Sequence, residues 1–241
     1  MCMDRNLVWD GIFNARDLGG LRTDDGYRTR WSALVRSDGP DRLTGVGWTA
    51  LYEHGIRTII DLRNDDERGL CETTRPSDLD IVHLPLDPVD DHEFWDYYRS
   101  SGLHGTPLYY QPLLDRHPHL MHAVVTAVAR ARPGGVLFHC ASGRDRTGLA
   151  ALLLLALVGV PATTIAEDYE ISVERLPALY SAQGRQNVEP VIAGMLAARG
   201  ASARDIVVST VQSLTTEGYL RELAIPDQDL AALRVRLLTT D

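Results

Sequence analysis

Short runs of consecutive apolar residues alternate along this chain with longer stretches in which apolar positions recur every three or four residues. Runs of four to six bounded by turn residues fit strands buried on both faces, and the longer period fits helices packed on such a sheet. The pattern predicts strands at Trp31–Arg36, Ile56–Ile60, Ile81–Leu84 and Val136–His139. A helix capped by Asp41 or Thr44 runs to His54, where Gly55 stops it. His119–Arg132 is amphipathic through Leu120, Val124 and Val128, whereas Leu149–Val160 is apolar nearly all round, as in a core helix. Pro161 then opens a helix that continues through Ile165–Ser172. Three more helices are predicted: Glu189–Ala198 closed by Gly200, Ser202–Leu214 with a Ser-x-x-Asp capping box, and Asp227–Leu238 after Pro226. Near the start, Leu21-Arg22 and Tyr27-Arg28 flank Asp24-Asp25-Gly26, a hairpin turn. Strands alternating with helices predict an α/β fold with a central, mostly parallel sheet of four to five strands flanked by helices.

The 241 residues suit one domain, and no repeat or Pro/Gly/Ser linker divides them. A formal net charge of −9 argues against nucleic acid or an anionic bilayer as a broad-surface partner. The longest apolar run, Leu149–Val160, is too short to span a membrane. Cys2, Cys71 and Cys140 are an odd, widely spaced set, which fits free thiols in a reducing compartment. With no apolar leader after Met1, a cytoplasmic location is expected. Oligomeric state is not legible.

One stretch carries chemistry: Val136-Leu-Phe-His-Cys-Ala-Ser-Gly-Arg-Asp-Arg-Thr-Gly148. It reads as a strand, a tight loop and a helix start. Such a loop turns several backbone N–H groups toward one point above a helix N-terminus, which makes an anion site. Arg146 can clamp a phosphate bidentately, and the same field would favour the thiolate of Cys140. An anion cradle with a thiolate at its floor describes cysteine-dependent phosphoester hydrolysis. No cofactor or metal is called for.

The string His139-Cys140-x-x-Gly143-x-x-Arg146-Thr147-Gly148 resembles the signature of the protein tyrosine phosphatase superfamily. Gly143-Arg-Asp-Arg-Thr-Gly148 is similar to the Gly-Lys-Asp-Arg-Thr-Gly of atypical bacterial tyrosine and lipid phosphatases, with Arg144 in place of lysine. Asn14-Ala-Arg-Asp-Leu-Gly-Gly20, Arg36-Ser37-Asp38, Asp61-Leu62-Arg63 and the Asp168-Tyr169-x-x-Ser172 run resemble the same group, over roughly residues 9 to 175. The resemblance implies Cys140 as nucleophile through a cysteinyl-phosphate, and Arg146 with the amides of Ala141, Ser142, Gly143, Arg144, Asp145 and Arg146 itself as the phosphate binder. Thr147 would hydrogen-bond the sulfur, Arg144 would project toward a second phosphate or an acidic substrate segment, and Asp61 and Arg63 would wall the site, although their residues alone fit equally well a carboxylate–guanidinium pair that fixes the strand end. The proton donor it implies is Asp145, with Asp61 as the alternative. His139 is expected to orient rather than to act as an acid. Phosphotyrosine on a protein is the first substrate expected, with phosphoinositides or small phosphorylated metabolites and nucleotides as alternatives.

Residues 87–118 mix acids, aromatics and breakers without a regular period, and are expected to form a lid over the pocket mouth; a satellite helix pair is the alternative. The whole chain is thus expected to be one phosphatase domain, with that insertion and a helical C-terminal part at 185–241. Asn64–Arg68 reads as a solvated helix start. His92, His104, His117, His119 and His122 lack ligand spacing and are expected to be surface residues. Two other classes share part of the pattern. A sulfurtransferase also uses a loop cysteine, but in a shorter loop and without Arg-Thr-Gly. A phospho-ligand binding module would need no nucleophile.

Overall fold

The computed structural model describes residues 4–69, 73–214, 219 and 222–239. Five strands form the central sheet: β1 (Arg16–Asp17), β3 (Leu34–Ser37), β4 (Ile56–Asp61), β5 (Asp80–His83) and β6 (Gly135–His139), in the order β1-β3-β6-β4-β5. All pairings are parallel except that of the short edge strand β1 with β3. A separate two-stranded ribbon joins β2 (Arg28–Thr29) to β7 (Leu238–Thr239). The Asp24–Gly26 turn is present, with Gly26 at φ +89°, but Arg22 and Arg28 meet only in an isolated bridge. The ribbon partner of this segment lies at the other end of the chain.

Period two along the buried strands sorts their side chains between two cores. Val35, Ile59 and Leu137 face Trp9, Trp48 and Leu51, whose helix α1 (Gly45–Glu53) is capped by the Thr44 hydroxyl. Leu34, Ile60, Val136 and Phe138 face the larger core, built on α4 (Pro118–Arg130) and α5 (Asp145–Leu157). Leu149 to Leu155 of α5 are all buried, which explains an apolar helix without a polar face. Around it lie α6 (Ala162–Ala182), α8 (Ala203–Leu214) and α9 (Asp227–Leu237). Between β5 and α4 come α2 (His92–Ser100) and α3 (Tyr110–Arg116), with short 3-10 turns between them; α7 (Glu189–Ala197) follows α6. Among the described residues, no helix is long and apolar enough to cross a membrane. Cys2 and Cys71 lie outside the described residues.

The registers fix where chemistry can occur. Ser37 and Asp61 both stand opposite His139, so β3, β4 and β6 end at one level and their following loops share one crevice.

Candidate active site

Cys140 follows β6 and lies at the base of a cavity of about 620 Å³. Ala141, Ser142, Arg144, Asp145 and Arg146 line the same cavity. The loop owes its shape to bonds on its outer side. His139 Nδ1 lies 3.1 Å from the Cys140 carbonyl, and Gly39 N–H donates to the Ala141 carbonyl at 3.2 Å. Asn14 Nδ2 donates to the Ser142 carbonyl at 3.0 Å. Arg36 Nη2 reaches the Gly143 and Arg144 carbonyls at 2.9 and 3.4 Å, and Gly148 N–H also donates to Arg144 O at 2.7 Å. Five consecutive carbonyls are therefore held from outside. The peptide bonds of this loop are trans, so each following N–H leaves its plane on the opposite side. Among the described residues the amides of 141–145 donate to no protein acceptor, which leaves them for an anion. Gly143 sits at φ +72°, and a Cβ there would stand 2.5 Å from the Ser37 carbonyl; only glycine lets the loop press against β3.

The outer struts are themselves anchored. Asp168 of α6 pairs with Arg5, Arg16 and Arg36, at 3.1 Å for Arg16 Nε and 2.8 Å for Arg36 Nη1. Arg16 also donates to Asn14 Oδ1 at 2.8 Å and to Ser172 Oγ at 2.9 Å. Burial, reinforced by Arg36, pushes the Arg16 guanidinium down to about 9, while its neighbouring arginines hold Asp168 well below the usual carboxylate range against the effect of burial. Asp38 accepts the Phe13 and Asn14 N–H groups, and burial pushes its carboxyl up to about 6. Burial pushes His139 down to about 4, so it is neutral, and a carbonyl acceptor requires that its Nδ1 carry the proton.

Arg146 opens α5 and is held bidentately by Glu67, with Nη2 to Oε1 at 2.6 Å, while its Nη1 also lies 3.0 Å from Asp87 Oδ2. Burial opposes its charge, but Glu67, Cys140 and Asp87 together raise its pKa above the ordinary arginine value. Burial likewise opposes ionisation of Glu67, yet Arg146 holds that carboxyl below its usual range. The Asn64–Arg68 stretch is thus not merely solvated: Glu67 reaches back to the loop, and Asn64 Nδ2 donates to Asp87 Oδ2 at 3.2 Å.

Three placements differ from what the resemblance implies, and the first is the strand-end pair that the residues alone equally allowed. Asp61 and Arg63 pair with each other at 2.9 Å, with Asp41 closing the other side of Arg63; neither lines the cavity that holds Cys140. The carboxylate and guanidinium neutralise each other behind the loop, and Arg63 holds Asp61 below its ordinary range against burial. Arg144 does not project toward solvent. It folds back to Asp145 Oδ1 at 3.1 Å, to Glu189 of α7, and to the Gly105 carbonyl at 2.7 Å, so its donors are spent on the protein. Thr147 is fully buried, its hydroxyl has no hydrogen-bond partner among the described residues, and it lies outside the cavity lining.

The cavity walls come from both irregular parts of the chain. Asp87, Val89, Trp95, Arg99, His104 and Tyr109 supply one side, within the 87–118 segment. Arg185, Val188, Val191, Ile192 and Met195 supply the other, from α7 and the turn before it. Sequence reasoning missed Glu67, Asp87 and Glu189. The signal for the first two was available: each is an acid placed just beyond the C-terminal end of a strand, where β4 and β5 open onto the crevice.

A family model described as "Tyrosine phosphatase family" matches residues 7–239. A Cupriavidus necator protein provisionally named a tyrosine-protein phosphatase is 31% identical over 176 residues, covering 70% of this chain and 64% of its own length. A tyrosine-protein phosphatase of Nostoc commune is 30% identical over 218 residues, 85% of this chain and 74% of its own. The triple specificity protein phosphatase PtpB of Mycobacterium tuberculosis is 30% identical over 276 residues, 95% of this chain and 97% of its own. The crystal structure of P. aeruginosa TpbA overlaps at a TM-score of 0.37 and 19% identity, over 76% of this chain and 89% of that one, a likeness too slight to argue from. Because the family match runs through every element that shapes the cysteine loop, from the N-terminal strut to the last strand, this chain belongs to the tyrosine phosphatase family.

Proposed function

We propose that the chain hydrolyses phosphomonoesters through a cysteinyl-phosphate, with phosphotyrosine on proteins as the preferred substrate. Cys140, as the thiolate, attacks phosphorus in line with the leaving oxygen. The amides of residues 141–145 and the Arg146 guanidinium take the equatorial oxygens, whose charge they stabilise most as the bond to the leaving group breaks. Glu67 fixes the plane of that guanidinium through two bonds, leaving its remaining N–H edge for phosphate. The observation that carries this reading is the set of five outward-held carbonyls, because it preorganises an anion hole above Cys140 in the cavity.

The walls support an aromatic leaving group. Trp95, Tyr109, Val188, Ile192 and Met195 offer apolar surface to a ring, while Arg99 and Arg185 suit acidic residues beside a phosphotyrosine. A nucleophile that must stay reduced suits a reducing compartment such as the cytoplasm. The test is release of phosphate from 4-nitrophenyl phosphate and from a phosphotyrosyl peptide, with a soluble phosphoinositide as the competing substrate. Cys140→Ser abolishes turnover while retaining phosphate binding. Turnover that survives this substitution refutes the mechanism, and a phosphoinositide preferred over the peptide refutes the substrate.

A further inference from the structure

Hydrolysis needs a proton for the leaving oxygen. Of the carboxyls around the loop, Glu189 lies outside the cavity lining and Asp66 is exposed, which leaves four to weigh. Three are spoken for. Both oxygens of Asp145 accept from Arg144, at 3.1 to 3.2 Å. Both oxygens of Asp61 accept from Arg63, outside the cavity. Both oxygens of Glu67 are bound by Arg146. A carboxylate whose two oxygens both accept from an arginine has to give up one of those bonds to turn a proton toward a substrate.

Asp87 is different. Its two polar neighbours, Asn64 Nδ2 donating at 3.2 Å and Arg146 Nη1 in an ion pair at 3.0 Å, both meet Oδ2. Oδ1 receives no donor among the described residues, and it belongs to a side chain that is 8% exposed and lines the cavity holding Cys140. The side chain follows β5 in the crevice, beside the guanidinium that grips the phosphate. We propose that Asp87 is the general acid and base of the reaction, carrying its proton on Oδ1. The inference rests on the cysteinyl-phosphate reading and adds a residue that the resemblance did not implicate.

The surroundings agree with the role. Burial pushes the Asp87 carboxyl up to about 6, with Glu67 and Asp145 adding to it and Arg146 and Asn64 opposing. Buried Tyr109, whose hydroxyl burial keeps protonated, stands against the same group. A bound phosphate dianion adds a further like charge, which favours the protonated acid at neutral pH. In the first step the Cys140 sulfur forms a bond to phosphorus as the P–O bond to the leaving group breaks, and the proton on Oδ1 passes to the leaving oxygen. The product alcohol departs neutral and Asp87 becomes a carboxylate. In the second step that carboxylate takes a proton from water as the water oxygen bonds to phosphorus. The P–S bond breaks, orthophosphate leaves, and both thiolate and acid are restored.

Leaving-group dependence tests this, because a poor leaving group needs the proton and a good one does not. Wild type, Asp87→Asn and Asp145→Asn are compared on phenyl phosphate and 4-nitrophenyl phosphate. A positioned general acid contributes about 10²- to 10⁴-fold. Asp87→Asn is expected to lose about that factor in kcat on phenyl phosphate and less than about tenfold on 4-nitrophenyl phosphate. Asp145→Asn is expected to lower both substrates by the same factor. Wild-type kcat on phenyl phosphate falls on the alkaline side as one proton is lost, a reading that needs no variant, and in Asp87→Asn this limb disappears. Equal loss on both substrates in Asp87→Asn, a leaving-group effect in Asp145→Asn instead, or a wild-type profile flat on the alkaline side would each overturn the assignment. All three outcomes leave intact the result of Cys140→Ser, so the acid can fail while the nucleophile stands.

Discussion

Replacing Asn14 by alanine removes one strut of the phosphate loop without replacing any residue that lines the cavity. The side chain gives a 3.0 Å bond to the Ser142 carbonyl and receives one of 2.8 Å from Arg16. Ser142 O is left without a donor, and an enclosed acceptor in that state costs about 1–3 kcal/mol. The peptide plane between residues 142 and 143 then regains its rotation, so the Gly143 N–H is no longer aimed at the bound anion. A hydrogen bond to a charged group is worth about 1.5–3 kcal/mol, and about 1.4 kcal/mol is a factor of ten. The loss of one amide contact therefore weakens oxyanion binding about 10- to 100-fold. The assay is the inhibition constant of orthovanadate and of inorganic phosphate against aryl phosphate turnover, beside urea denaturation of the same samples. The expected result is a 10- to 100-fold rise in both constants, with a stability loss of about 1–3 kcal/mol. Unchanged inhibition constants in a variant that loses that stability would show that the amides are aimed without the strut, and would refute the reasoning.

Two further outcomes follow from buried charges. Asp168→Asn leaves Arg16 and Arg36 enclosed without their shared counter-ion, which is expected to cost about 3–5 kcal/mol and lower Tm by about 6–20 °C; scanning calorimetry that finds a shift of under about 2 °C would rule this out. His139→Asn tests linkage. The ordinary histidine value is 6.5 and the folded one is about 4, so as pH falls between them the unfolded chain takes up a proton that the folded chain refuses. The folded state then loses about 1.4 kcal/mol per pH unit, or about 3 kcal/mol across the window. Asp38 and Asp87, both raised to about 6, act in the opposite direction, so the quantity to measure is the difference between wild type and His139→Asn. By urea denaturation, that advantage of the wild type is expected to shrink by about 3 kcal/mol from about pH 7 to about pH 4; a constant difference would contradict a neutral His139.

The parts of the fold set by local pattern were legible. Each strand read from an apolar run appears within a few residues of its expected place, because a parallel strand buried on both faces leaves an uninterrupted signal. The β2–β7 ribbon was not legible: a two-residue pairing over more than 200 positions has no period to read. At the site, Cys140 and Arg146 announce themselves through spacing, since one loop must carry both. Their supports do not. Arg144 was expected to reach outward because charged loop residues usually do, but three acceptors from separate elements draw it inward. Asp61 and Arg63 looked like a wall of the crevice from their place after β4, yet their mutual pairing turns both behind the loop. Asp87 carried a signal in its place just after β5, but only the folded crevice tells which acid of its segment is enclosed.

The struts beneath the phosphate loop come from residues far apart in the chain: Asn14, Arg36 and, through its arginines, Asp168. During synthesis the nucleophile and its guanidinium emerge well before the counter-ion that steadies the loop from below. A nascent or truncated chain ending before α6 would hold both reactive groups and yet lack a settled bowl for them. Competence therefore waits on α6, although both reactive groups precede it in the chain.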